Sequence, residues 1–209
     1  MKYIDLNTWN RKAQYEHFIK LLDPYFAVTV PCDITKAYNF SKENNLSFFG
    51  KYLHDCMKAI NDVDNLKLRI ENEKIVEYPL IHASATIMRN DKTFGFSFIE
   101  FDPDLSIFIK NIANEKHRIE NTAELYPPKN GLDCIHCSAM PWLNFTGHKE
   151  PFSGNLDSVP KIAFSKVSNV QETLNMNVSI SVNHALVDGY HIGEFFERFQ
   201  NYLNLENLK

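Results

Sequence analysis

The sequence predicts a two-layer α/β sandwich with a mixed β-sheet. Three observations carry this. An amphipathic helical pattern opens the chain, and alternating runs of strand length fill its middle and last third. A second helical pattern closes it directly after the longest alternating run. No fixed-period repeat or low-complexity linker divides the 209 residues, so one domain over 1–209 is expected.

Taken in order, residues 11–22 place Tyr15, Phe18, Ile19 and Leu22 on one stripe of a helix, with Asn7 or Thr8 positioned as cap. Asp23-Pro24 ends it. FAVTVPCDIT alternates as a strand, and a short helix follows over 35–43. Residues 47–61 form a strongly apolar amphipathic helix, which must pack on a sheet or a partner. LKLRI, KIVEY, HASATIMR and TFGFSFIE read as short strands, with a turn at 90–92 between the last two. Asp102-Pro103 starts a helix through 119 with Leu105, Phe108, Ile109 and Ile112 inward. A breaker-rich loop at 121–131 leads to a strand at 132–137 and then to a long irregular stretch. PKIAFSKV is a strand, 169–175 a hairpin link, 176–184 the last long strand and 191–203 the closing helix.

Composition narrows the function. The net charge of -4 and the lack of a basic tract exclude a phosphate-backbone binder. No run of eighteen apolar residues suits a membrane helix, and MKYIDLNTWNRK lacks the apolar core of a signal peptide, so a cytoplasmic location is expected. Cysteines stand at 32, 56, 134 and 137. In the alternating run LDCIHCSAMPW, Cys134 and His136 share one face and Cys137 takes the other. That predicts core cysteines and no zinc site. With 16 phenylalanines and 9 tyrosines, rings must fill a core, a pocket or an interface.

The chemistry concentrates in NHALVDGYHIG, residues 183–193. His184 falls at the end of the last strand, in phase with Val178, Ile180 and Val182. A strand-end histidine often lines a crevice, and an imidazole titrates near neutral pH, so it can take a proton from a hydroxyl or thiol. The alternative is a hydrogen-bonded structural histidine. Asp188 is either a catalytic partner of His184 or one half of a salt bridge that fixes the loop, with Arg11 as its cation. His191 opens the closing helix.

HALVDGYHIGEFFERFQ resembles the H-x-x-x-D-G signature of the trimeric, type A chloramphenicol acetyltransferases, which the dihydrolipoyl acyltransferase cores share more loosely. WNRKAQYEHF at 9–18, CDIT at 32–35 and SAMPWLNF at 138–145 resemble three further stretches of that family, in the same order and over nearly the whole chain. The resemblance implies the CoA-dependent acyltransferase fold. It also implies acetyl transfer from acetyl-CoA to a hydroxyl of chloramphenicol or a similar small acceptor, with no acyl-enzyme and no metal. His184 would be the general base, held by a backbone carbonyl, and Ser138 the donor to the developing oxyanion. Arg11 and Asp188 would brace the loop that carries the base. The acceptor pocket would fall near Phe18, Leu22, Phe26 and Phe94, an apolar wall, and Lys166 near the adenosine end of CoA. The assembly would be a homotrimer with sites between subunits.

The chain departs from the family pattern at four places. Asn183 stands where the family has a first histidine, Ala163 where it has a water-ordering threonine, and Ser47 where it often has a lysine; residues 146–160 diverge. Two other readings compete: a CoA-binding regulatory descendant, and the acyltransferase core of a dehydrogenase complex. The lack of a lipoyl-like segment and flexible linker weighs against the second.

Overall fold

A computed structural model describes residues 1–151, 153–154 and 156–205. Its elements are β1 (Lys2–Tyr3), α1 (Lys12–Phe18), β2 (Tyr25–Asp33), α2 (Thr35–Glu43), α3 (Phe48–Asn61), β3 (Leu68–Glu71), β4 (Lys74–Glu77), β5 (His82–Met88) and β6 (Phe94–Phe96). They continue with α4 (Leu105–Glu120), β7 (Cys134–Ala139), β8 (Lys161–Val170), β9 (Thr173–Asn183) and α5 (Gly189–Leu203). Six strands form one sheet in the order β2-β9-β8-β7-β5-β6. The β5–β7 and β7–β8 pairs are parallel and the rest antiparallel, so the sheet is mixed. A small sheet, β1-β4-β3, stands beside it.

The strands carry different chemistry on their two faces, as the period of two requires. Ala83, Ala85, Ile135, Cys137, Ile162, Phe164, Val178, Ile180 and Val182 point into the main core. There they meet Leu53, Met57 and Ile60 of α3, Phe108 of α4, and Phe195 and Phe199 of α5. The alternate positions, Ser84, His136, Ser138, Lys161, Ser165, Ser179, Ser181 and Asn183, form a polar second face. Ser47 caps α3 by accepting from the Gly50 amide, and Asp104 caps α4 by accepting from Ser106 and Ile107.

Several expectations need correction. Helix α1 ends at Phe18, and Leu22 is 93% exposed rather than part of the core stripe. The cause is Pro24: Asp23 before it is steered out of helical torsions, and its carboxylate closes a turn onto the Tyr25 amide. Neither Asn7 nor Thr8 caps α1. Arg11 occupies that position without a side-chain cap, and the Asn7 amide donates to Asp5. LKLRI begins as a 3₁₀ turn over Asp64–Lys67 and is a strand only from Leu68. Of TFGFSFIE, only Phe94–Phe96 is strand; the Ser97 amide then donates to the Ala85 carbonyl, and Ile99 forms an isolated bridge with Ala83. Strand β7 starts two residues later than predicted and carries Ser138 inside it.

Candidate active site

Strand β9 ends at Asn183, and His184 lies just beyond it, at the start of the turn into α5. Its backbone is held from both sides: the amide donates to Pro24 O at 2.8 Å, and its carbonyl accepts from Arg11 Nη2 at 3.3 Å. The ring stacks on Phe18 at 3.9 Å between centroids, 11° from parallel, and Phe26 tilts against it at 4.5 Å. Nδ1 lies 3.1 Å from the Val187 carbonyl. A carbonyl only accepts, so Nδ1 carries a hydrogen, and in the neutral ring the lone pair is on Nε2. Asp188 Oδ1, 3.4 Å from the same Nδ1, favours that tautomer too.

Asp188 is chiefly the anchor of this turn. It forms an ion pair with Arg11, whose side chain is buried against Trp9. Burial lowers the Arg11 pKa, and its Nε has no hydrogen-bond partner, so the guanidinium depends on Asp188 and the His184 carbonyl. His191 accepts from the Asp188 amide through Nδ1 at 2.9 Å, which fixes the first turn of α5. Desolvation, then the Arg11 charge, lowers the His191 pKa and keeps that nitrogen an acceptor. His191 thus braces the start of α5.

Asn183 has a part that the sequence did not reveal. Fully buried, it donates from Nδ2 to the Asp157 carbonyl at 2.8 Å and accepts from the Ala185 amide at 2.9 Å. The side chain ties the turn after β9 to the segment over the polar face.

Ser138 lies on that polar face, in register with Ala163, which pairs in turn with Ser179. It borders a cleft of about 170 Å³ with Thr86, Phe96, His136, Glu150 and Lys161. Two strands across and five residues along the sheet separate Ser138 from His184. At standard strand spacing and rise that is about 20 Å within one chain.

The predicted acceptor residues are not brought together in the protomer. Phe18 and Phe26 embrace His184, Leu22 is exposed, and Phe94 is half exposed on β6, at the far edge of the sheet from β2. Lys166 is exposed within the irregularity of the β8–β9 register, its amide bonded to the Leu143 carbonyl. Cys134 and Cys137 face opposite ways, Cys137 into the main core and Cys134 against Phe98 and Val159. Burial pushes the Cys134 thiol up to about 11 and the Cys137 thiol further. Among the described residues no group of three or more His, Cys, Asp or Glu is placed to hold a metal.

Sequence reasoning missed the cluster around Lys161. This lysine is 6% exposed, donates to Asp157 Oδ2 at 2.7 Å and to the Pro151 carbonyl at 2.7 Å, and lies over the Tyr25 ring. Tyr25 donates its phenol hydrogen to Asp157 Oδ1 at 3.0 Å. Burial works against ionisation of Asp157, but the Lys161 ammonium and these hydrogen bonds hold its pKa below the usual carboxylate value. The available signal was the Asp157–Lys161 spacing across the irregular stretch.

A mixed sheet covered by helices on one face, with a histidine presented at the end of its longest strand, is the fold of the CoA-dependent acyltransferases. A solved chloramphenicol acetyltransferase matches with a TM-score of 0.87 at 21% identity, covering 97% of this chain and 99% of that one. A dihydrolipoamide acetyltransferase from Azotobacter vinelandii matches at 0.69 and 14% identity, covering 92% and 86%. The family described as "Chloramphenicol acetyltransferase" matches residues 1–200, and the chain belongs to it. Among curated relatives, chloramphenicol acetyltransferase 3 of Escherichia coli is 24% identical over 96% of this chain and 95% of its own length. A chloramphenicol acetyltransferase of Bacillus pumilus is 25% identical over 94% and 90%. The protein is therefore an enzyme of the acetyltransferase type.

Proposed function

We propose that this chain transfers the acetyl group of acetyl-CoA directly to a hydroxyl of a small acceptor, with chloramphenicol the first to test, at sites formed between the subunits of a homotrimer. The observation that carries this reading is the His184 ring. Its Nδ1–H is committed to the Val187 carbonyl, and two phenylalanines hold it flat, so Nε2 is the free basic atom. Nε2 takes the acceptor hydroxyl proton as the oxygen attacks the thioester carbonyl. The Ser138 hydroxyl donates to the oxygen that gains charge. The proton on Nε2 then passes to the departing sulfur. Lys166 meets a CoA phosphate.

Support for a shared site comes from distance. Two groups acting on one carbonyl must each lie about 3 Å from it, whereas one chain holds His184 and Ser138 about 20 Å apart. A second copy that presents His184 to the Ser138 cleft removes the conflict. Exposed Leu22, Trp142 and Leu143 provide apolar surface for such an interface. Asn183 in place of the family's first histidine holds the turn through its own hydrogen bonds.

The experiment is thiol release from acetyl-CoA with chloramphenicol, for the wild type and His184→Ala. The reading requires release that His184→Ala abolishes; equal release by the two proteins rejects His184 as the base.

A further inference from the structure

Within one chain the His184 turn and the Ser138 cleft lie about 20 Å apart, yet one residue is tied to both. The Asp157 carbonyl accepts from Asn183 Nδ2 at 2.8 Å, and Asn183 Oδ1 accepts from the Ala185 amide at 2.9 Å. The two residues that flank His184 are thus held through this carbonyl. The Asp157 carboxylate reaches the other way. Its Oδ2 accepts from Lys161 Nζ at 2.7 Å, and the same Nζ donates to the Pro151 carbonyl at 2.7 Å. Pro151 walls the Ser138 cleft, and Lys161 pairs in register with His136 of β7, two residues before Ser138. Asp157 Oδ1 accepts from the Tyr25 hydroxyl at 3.0 Å, and Tyr25 is the partner of Asn183 in the β2–β9 register. The Ser153 and Val159 amides, each at 3.3 Å, also donate to the carboxylate.

Such a cluster is a poor way to add stability alone. The Lys161 and Asp157 side chains are 6% and 10% exposed, and a buried ion pair seldom stabilises a fold more than apolar residues of the same size. What it does impose is geometry: a carboxylate with charged or polar donors on both oxygens is held in one orientation. Asp157 itself lies outside the lining of the Ser138 cleft. We propose that Asp157 is a positioning residue for acetyl transfer. Through its main chain it sets the turn that carries His184, and through its carboxylate it sets the Pro151 wall of the Ser138 cleft. This rests on the acetyl-transfer reading. With sites shared between copies, each Asp157 sets the base of one site and the serine wall of the next.

The test is steady-state thiol release from acetyl-CoA with chloramphenicol, for the full chain and four variants, with thermal melts alongside. Asn183→Ala cuts the main-chain arm and should lower kcat by roughly 10-fold or more, with the acceptor KM held within about 2-fold. Lys161→Met cuts the arm toward Pro151 and should raise the acceptor KM by roughly 5-fold, with kcat held within about 2-fold. Asp157→Ala frees the carbonyl as well as the carboxylate arm and should show both changes. Asp157→Asn keeps the shape and an oxygen for Tyr25 and the Val159 amide, so kcat should return to near the wild-type value while the KM stays raised. A merely structural Asp157 would lower the melting temperature of both its variants and leave KM and the kcat of the folded enzyme unchanged, which overturns the proposal. So does an Asn183→Ala or Lys161→Met protein in which kcat and KM move together. Should Asp157→Ala fail to fold, Asp157→Asn decides: a raised KM supports the proposal and an unchanged KM overturns it. A wild type that releases no thiol overturns acetyl transfer to chloramphenicol and the proposal together.

Discussion

The two ends of the candidate site are built from opposite materials. At His184, rings and local backbone hold one imidazole: Phe18 and Phe26 pack its faces, the Val187 carbonyl takes the hydrogen bond of its Nδ1, the Pro24 carbonyl that of its backbone amide, and the Arg11–Asp188 pair closes the turn. At Ser138, strand β7 borders an open cleft whose lining mixes Phe96 and Pro151 with Thr86, His136 and Glu150, and the Lys161–Asp157 ion pair binds the sheet to the irregular segment above it. The first end fixes one atom; the second leaves room for a guest. A base must be rigid to hold its tautomer, whereas an acceptor site is defined by what it hydrogen-bonds.

Substitutions at the two ends should separate these roles. The largest effect belongs to His184→Ala, which should lower kcat by ~10²–10⁴-fold without moving the melting temperature, since a half-buried ring is lost and its braces remain. A large fall in stability would mean that His184 is structural. Next comes Ser138→Ala, expected to cost ~10²–10³-fold in kcat with little change in KM for either substrate. A KM effect alone would assign Ser138 to acceptor binding.

Asp188→Asn sharpens the comparison differently, because it strikes the brace. It leaves Arg11 buried without its counter-charge, and with Asp188 itself about a third exposed the expected cost is about 1–3 kcal/mol. Denaturant melts should show that loss together with reduced kcat, while the Ser138 cleft still binds its acceptor. The smallest expected change is Lys166→Ala, which should raise KM for acetyl-CoA a few-fold, roughly the worth of one exposed charge pair, and leave kcat intact.

The histidines also predict a pH dependence. His82, His136 and His191 have pKa values lowered from the ordinary 6.5, each first by desolvation. The unfolded chain therefore binds more protons than the folded one as pH falls below 6.5. Their contribution to stability is fully present above that value and is lost as pH drops toward the lowered pKa values. Thermal melts from pH 7.5 to 5 should show a falling melting temperature, and His191→Gln should flatten part of the slope. An unchanged slope would remove His191 from the account.

The legible parts of the molecule were those set by local pattern. Helices α2, α3 and α5 and strand β9 follow from hydrophobic period and the turn residues beside them, whereas the Arg11–Asp188 pair was one of two readings of Asp188, the one that the family resemblance favoured. Leu22 was misplaced because one proline two residues on outweighed the helical stripe. The short strands β3 and β6 were overextended because a few apolar residues cannot distinguish a strand from single bridges. The Ser138 cleft was illegible for another reason. Its lining comes from β5, β6, β7, β8 and residues 150–151, and strand register brings the strands' share together. The resemblance placed its apolar wall at Phe18, Leu22, Phe26 and Phe94; in the protomer Phe18 and Phe26 lie on His184, and Phe94 packs on Phe96, which lines the Ser138 cleft.

The central claim is that one copy's base serves another copy's serine, and subunit mixing tests it most directly. His184→Ala and Ser138→Ala proteins, each nearly inactive alone, are unfolded together and refolded as mixed oligomers. If sites lie between copies, random mixing leaves roughly a quarter of them with both residues intact, and about that share of wild-type thiol release returns. Activity no higher than the mean of the two separate variants would contradict it.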